Sequence, residues 1–220
     1  MALHRHQLLR LSTPGWMRAL QEDRDDESLR CLALWAGRDL PLVVTRQAEP
    51  SGGRIAVGLP APAAFGRRRL SLAVEASQVA SFDEFPAADL VKPLLSAPAR
   101  ASWSSLLAAL GDAGCAPRVY GGHGWQCLTG LAYLHDGSDI DLLLPVASAA
   151  QADAVCAALV ASAVERPRLD GELLFADGGA VAWREWRRYR LGYADRVLVK
   201  RLRGVALLAP RELAAGSAPC

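Results

Sequence analysis

An α+β protein in two parts is predicted: a small β-rich N-terminal domain, then a domain of helices on a mixed sheet. Three observations predict it. Residues 1–91 hold three short β-like runs between turns rich in glycine, proline and serine. From residue 102 onward helical and strand patterns alternate instead. Of the 220 residues 51% are apolar, enough to bury a sizeable core and too many for a disordered chain.

In the first part a helix is expected over 28–36, followed by strands at 42–45, 54–58 and 69–74 joined as antiparallel hairpins. Pro86, Pro93 and Pro98 break any continuous element, so a linker is placed at 92–101. The second domain then spans 102–213. It opens with a helix over 102–110, where Ser102 caps apolar positions at helical spacing and Gly111 and Gly114 end the run. A strand at 118–120, a helix over 124–131, a strand at 139–146 and a helix over 148–164 follow. A hairpin of 169–176 with 180–188 turns at Asp177-Gly178-Gly179, and a strand at 196–200 and an apolar run at 205–209 close the domain. Residues 214–220 read as a tail.

The formal net charge of +2 gives no footprint for nucleic acid or an anionic membrane. Lys92 and Lys200 are the two lysines, so arginine carries nearly all positive charge, as a biased genome would produce. Five widely spaced cysteines form no C-x-x-C pair, which argues against a zinc site or disulfide framework and for the reducing cytoplasm. The N-terminus lacks the apolar core of a signal peptide, and the most apolar stretch, 154–164, is too short to span a bilayer.

The chemistry concentrates in Gly137-Ser-Asp-Ile-Asp-Leu-Leu-Leu144, just downstream of Tyr120-Gly-Gly-His123. Side chains alternate along a strand, so Asp139 and Asp141 share a face, roughly 6 to 7 Å apart. Two partly buried carboxylates that close repel by roughly 1 to 3 kcal/mol, which a bound divalent cation reverses. The Gly121-Gly122 turn lets backbone approach a phosphate, and the helix start behind it adds unpaired N–H groups. A third carboxylate on a neighbouring strand would complete a two-metal clamp. Glu185 and Glu172 are the candidates, with Glu185 preferred because alternation over 180–186 sets it on one face with Val181 and Trp183. His123 reads as a phosphate ligand or a helix-start cap, and Lys200 as a phosphate counter-charge or a solvated strand end. Arg67-Arg-Arg69 reads as a solvated strand end or a grip on an acidic partner. Trp125, Trp183 and Trp186 read as packing.

The order Val119-Tyr-Gly-Gly-His-Gly-Trp-Gln126 through Ser138-Asp-Ile-Asp-Leu-Leu-Leu144 resembles the signature of the nucleotidyltransferase superfamily, the fold of DNA polymerase beta. More narrowly, Trp125-Gln126, Leu128-Thr-Gly-Leu131, Tyr133-Leu-His135 and Ser138-Asp-Ile-Asp141 resemble the malonate decarboxylase holo-acyl-carrier-protein synthases, which are phosphoribosyl-dephospho-CoA transferases. Pro41-Leu-Val-Val44, Val57-Gly-Leu-Pro60, Arg68-Arg-Arg-Leu-Ser-Leu72, Asp170-Gly-Glu172, Asp177-Gly178, Ala182-Trp-Arg-Glu185 and Val199-Lys200 extend the likeness over nearly the whole chain. The resemblance implies transfer of the 2'-(5''-triphosphoribosyl)-3'-dephospho-CoA group to a serine of an acyl carrier subunit, with release of diphosphate. It implies magnesium or manganese on Asp139, Asp141 and Glu185 or Glu172, and donor contacts from Gly121, Gly122, His123, Ser138 and Lys200. The N-terminal domain would recognise the carrier or the donor's long arm. In place of Gly122 the superfamily usually has serine. A small-molecule adenylyltransferase and a catalytically silent binding module are the alternatives.

Overall fold

The structure, a computed structural model, describes residues 3–48 and 52–209. The tail expected at 214–220 and Cys220 lie outside them. The fold is a two-domain α+β arrangement with two sheets.

The N-terminal sheet is antiparallel, built from β1 (Leu8–Leu11), β2 (Leu42–Val44), β3 (Arg54–Pro60), β4 (Arg69–Glu75) and β5 (Val79–Asp83) in the order β4-β3-β2-β1-β5. Two helices pack on it. In α1 (Thr13–Gln21) the Ser12 hydroxyl accepts from the Gly15 N–H, and in α2 (Asp26–Gly37) the Asp25 carboxylate accepts from the Ser28 N–H at 3.0 Å. Cys31, Leu32 and Trp35 lie on one face of α2 and bury against the sheet. Sequence patterning missed β1, α1 and β5. β1 is four residues long, and β5 is mostly exposed, so neither shows clear alternation.

The second sheet is mixed, made of β6 (Arg118–Tyr120), β7 (Ile140–Val146), β8 (Leu169–Phe175), β9 (Ala180–Ala182), β10 (Val197–Lys200) and β11 (Val205–Leu208), ordered β11-β10-β9-β8-β7-β6. Among the described residues only its β7–β8 pairing is parallel. It is bridged by α5 (Ala149–Ala161), which packs beside α3 (Ala97–Asp112). Between β6 and β7 lies α4 (Gly121–Thr129), and α6 (Trp183–Arg190) follows β9 directly.

Two expectations need correction. Residues 92–101 are not a linker: a 3-10 segment, Ala88–Leu94, and the first turns of α3 occupy them, and Ala88, Val91, Leu95 and Ala99 belong to the second domain's core. Pro93 sits within the 3-10 segment and Pro98 in the first turn of α3, where a missing N–H breaks no helical bond. The strand expected at 180–188 ends at Ala182, and a helix takes over. Trp183, Trp186 and Tyr189 recur every three residues and form the face of α6 that packs into the core, and this period overrides the shorter alternation around Val181.

The alternation of β7 and β8 decides where chemistry can happen. Ile140, Leu142, Leu144 and Val146, with Leu169, Leu173 and Phe175, face the core under α3 and α5. Leu143 and Leu174 face the N-terminal domain's core instead. Asp139, Asp141, Asp170 and Glu172 share parity with these last two, so a row of four acids lies on the face turned toward the N-terminal domain. Among the described residues no helix is long and apolar enough to cross a membrane.

Candidate active site

Tyr120 ends β6 opposite Asp141, and the chain turns into α4 at Gly121 with φ of 61°. Only glycine serves there. A Cβ on Gly121 would lie 1.9 Å from Oδ2 of Asp141, and the left-handed conformation is itself costly for other residues. The carboxylate therefore rests directly on the glycine backbone. No side chain caps α4, so the N–H groups of its first turn remain available to an anion.

Gly122 differs. A Cβ there would meet Cδ2 of Leu134 at 3.4 Å, an ordinary contact, and its φ is not in the left-handed region. Gly122→Ser is accordingly expected to fold with stability within about 0.5 kcal/mol of the parent and to keep transfer within a few-fold. Thermal melts and a steady-state assay check this; a drop of several kcal/mol would contradict the geometry. Gly124 holds α4 against β6, since a Cβ would come within 2.3 Å of the Val119 carbonyl oxygen.

Asp141 and Asp170 are direct neighbours in the parallel β7–β8 register. Burial, then the charges of Asp170, Asp139 and Glu172, push the Asp141 carboxyl up to about 6. Among the described residues no arginine or lysine pairs with it. Asp139 lies nearer solvent and is gripped by Arg168, whose Nε donates to both carboxylate oxygens at 3.2 Å and whose terminal nitrogen closes on Oδ2. That hydrogen bonding holds Asp139 below its ordinary value.

Glu172 is buried among cations. Lys200 Nζ reaches Oε1 at 2.7 Å, and the Arg5 guanidinium and the His6 Nε2 each reach Oε2 at 3.2 Å. Burial alone would raise its pKa, but the hydrogen bonds from His6 and Lys200 and the charge of Arg5 outweigh it and hold the carboxyl well below the usual range. His6 adopts φ of 62° and packs its ring, tilted by 45°, 4.4 Å from that of Tyr120, so the N-terminal domain supplies part of this site.

The other expected residues are placed as follows. Glu185 does not join the acid row: it lies in the first turn of α6, where Oε1 accepts from the Leu198 N–H at 2.7 Å. His123 is buried, and its Nδ1 lies 2.9 Å from the Asp139 carbonyl. A carbonyl only accepts, so Nδ1 carries the proton, and burial, which lowers the pKa, keeps the ring neutral. His123 thus positions the Asp139 backbone. The Ser138 hydroxyl accepts from the His135 N–H at 2.9 Å and staples the loop ahead of β7. Lys200 is engaged by Glu172. Arg68 pairs with Asp25 and Glu27, while Arg69 lines the cleft described next. Trp125, Trp183 and Trp186 are packed in the cores. Sequence reasoning missed Arg5, His6, Arg168 and Asp170; Asp170 alone carried a signal, its position two residues before Glu172 on one strand face.

Two clefts flank the acid pair. One of about 570 Å³ lies between the domains and is lined by His6, Arg69, Tyr120, Gly121, Trp125 and Asp141, room for a nucleotide-sized ligand. A second of about 500 Å³ touches Asp170, Ala182, Arg184, Glu185, Arg188 and Ala194. A larger cavity of about 620 Å³ lies at the far ends of β7 and β8, near Pro145 and Phe175; no acidic side chain lines it among the described residues.

Among the described residues no three acidic, histidine or cysteine side chains are already gathered closely enough to hold a metal ion. The donor set still suits a hard divalent cation. Burial and the charges of Asp170 and Asp139 raise the Asp141 carboxyl to about 6, a repulsion that a cation would relieve, and its Oδ2 packs against the Gly121 backbone. Burial pushes the thiols of Cys115 up to about 11 and of Cys156 up to about 12, so neither offers a nucleophile near neutral pH.

A family model described as the phosphoribosyl-dephospho-CoA transferase MdcG C-terminal domain matches residues 87–211, and one described as the corresponding N-terminal domain matches residues 4–85. The chain is 36% identical over 221 residues to a protein named phosphoribosyl-dephospho-CoA transferase from Bradyrhizobium diazoefficiens, covering 97% of this chain and 93% of that one. A protein of the same name from Xanthomonas campestris pv. campestris strain 8004 is 38% identical over 183 residues, covering 80% and 82%. One from Pseudomonas putida strain GB-1 is 39% identical over 115 residues, covering 50% and 52%. No solved structure matches the chain.

Proposed function

We propose, on the premise that this chain belongs to the phosphoribosyl-dephospho-CoA transferase family and is a transferase, that it attaches the 2'-(5''-triphosphoribosyl)-3'-dephospho-CoA group to a serine of the malonate decarboxylase acyl carrier subunit in the cytoplasm. The fold proposed for the second domain is that of the polymerase-beta-like nucleotidyltransferases. The observation that carries the reading is the Asp141 carboxylate resting on Gly121 beside Asp170.

In this reading Asp139, Asp141 and Asp170 would hold magnesium or manganese, with Asp170 taking the part first expected of Glu185 or Glu172. When bound, the ion neutralises charge on the phosphates and on the departing diphosphate. Arg168, 62% exposed, is the partner that Asp139 would exchange for the ion. The backbone N–H groups of Gly121 and Gly122 and the open start of α4 hold the triphosphate, replacing the hydroxyl that a serine at 122 would give. Glu172, fixed by Arg5, His6 and Lys200, keeps the N-terminal segment against the site. The serine Oγ bonds to the innermost phosphorus of the triphosphate, the bond to the bridging oxygen breaks, and diphosphate departs. The hydroxyl proton passes to a carboxylate of the acid row. A phosphodiester results, with no covalent enzyme intermediate.

The test is intact-mass analysis of the apo-carrier subunit after incubation with enzyme, magnesium and the triphosphoribosyl donor. The carrier should gain the mass of the donor less diphosphate, and Asp139→Ala should lose this gain. An unchanged carrier, with a small molecule adenylated from ATP instead, would overturn the reading.

A further inference from the structure

We propose that the arginine-bearing face of α6 and the turn after it dock the acceptor protein through an acidic surface, presenting its serine to the cleft beside Asp170. This rests on the transfer reading above and extends it to the partner's side of the site.

Position is the first argument. Across the sheet the order runs from β6 and α4, through Asp141 on β7 and Asp170 on β8, to β9 and α6. The larger flanking cleft reaches Asp141 from the side of Gly121 and Gly122; the smaller reaches Asp170 from the side of Arg184 and Arg188. In phosphoryl transfer the attacking and leaving oxygens lie in line through phosphorus. A leaving diphosphate on the glycine turn therefore sets the attacking hydroxyl on the α6 side.

Charge and composition are the second argument. Arg184, Arg187 and Arg188 are exposed and form no ion pair among the described residues, whereas Arg190 on the same helix is held by Asp153. Arg184 also lies over the Trp183 ring at 4.2 Å and donates to the Leu169 carbonyl, which fixes it at the cleft mouth. Beside them Leu191 is 55% exposed and Tyr193 72% exposed. Asp195 is the one exposed acid of the turn. Arginine with tyrosine and a bare aliphatic side chain is the composition of a protein-binding surface, and its sign selects an acidic partner.

The experiment titrates fluorescently labelled apo-carrier subunit into the wild-type protein, into an Arg187→Glu/Arg188→Glu variant, and into Arg30→Glu, an exposed reversal on α2. The same three proteins are then assayed for carrier mass gain and for KM of the donor. The expected result is carrier affinity at least 10-fold weaker for the double variant alone, unchanged donor KM, and wild-type affinity that falls steeply with salt. Equal affinity in all three proteins overturns the docking face, and so does a rise confined to donor KM, which would assign the arginines to the donor. A wild-type protein that adds no mass to the carrier overturns the transfer reading instead, and the binding titration still decides the docking face on its own.

Discussion

Asp141→Asn is expected to abolish transfer while making the ion-free protein more stable at pH 7. The carboxyl is pushed up to about 6 from an ordinary 3.8, first by burial and then by Asp170, Asp139 and Glu172. A carboxyl raised in the folded state costs stability wherever it must be ionised. The cost is absent below pH of about 4, grows as pH rises through the interval to about 6, and is full above that. The group is only partly buried, and screening by solvent reduces the gain from removing it to about 1 kcal/mol, or roughly 2 to 4 °C in Tm for a chain of this size. Transfer should fall about 1,000-fold, the scale seen when one electrostatic contact to the reacting group is lost. Melts in chelator at pH 4 and pH 7 check the sign: the gain appears at pH 7 and vanishes at pH 4. Added magnesium should raise the Tm of the wild type and leave that of Asp141→Asn nearly unmoved. A variant that is less stable at pH 7, or that transfers within 10-fold of the parent, would contradict the account.

Gly121→Ala is expected to be severe in both respects. The left-handed conformation costs a non-glycine residue about 1 to 2 kcal/mol. The added methyl would also lie 1.9 Å from Asp141 Oδ2, so either the turn or the carboxylate must move. A total loss of about 2 to 4 kcal/mol follows, with transfer reduced at least 100-fold as the carboxylate is displaced. The clash has a specific remedy: removing the carboxylate in Gly121→Ala/Asp141→Gly should restore part of the lost stability and none of the activity. Equal melts for the double variant and Gly121→Ala would show that the acid is not what the methyl meets. Gly122→Ser, one residue away, is the neutral counterpart.

Much of this site was legible in the sequence because its signals are local. Gly121 with Gly122 marks a strand-to-helix turn, and Asp139 with Asp141 ahead of an apolar run marks acids sharing a strand face. Both depend only on neighbours a few residues apart. Glu185 was misplaced for an equally local reason, since Val181, Trp183 and Glu185 alternate as a strand does while Trp183, Trp186 and Tyr189 recur as a helix does. Burial against the second core decides between the two patterns, and burial is not written in eight residues. Asp170 becomes a partner of Asp141 only once β7 and β8 pair in parallel. The least legible contact is that of Arg5 and His6 with Glu172, across more than 160 positions of chain. No short motif announces it, because it exists only when the two domains pack.

The central claim is that Asp141, with Asp139 and Asp170, forms the cation-binding centre for phosphoryl transfer. Anomalous diffraction from crystals of the protein grown with Mn²⁺ tests it most directly. The account predicts a peak within ligand distance of Asp141 on the face shared with Asp170, with Arg168 released from Asp139 and Glu185 still bonded to the Leu198 N–H. A peak ligated by Glu185 away from the row, or none near Asp141 in crystals that bind Mn²⁺ elsewhere, would contradict it.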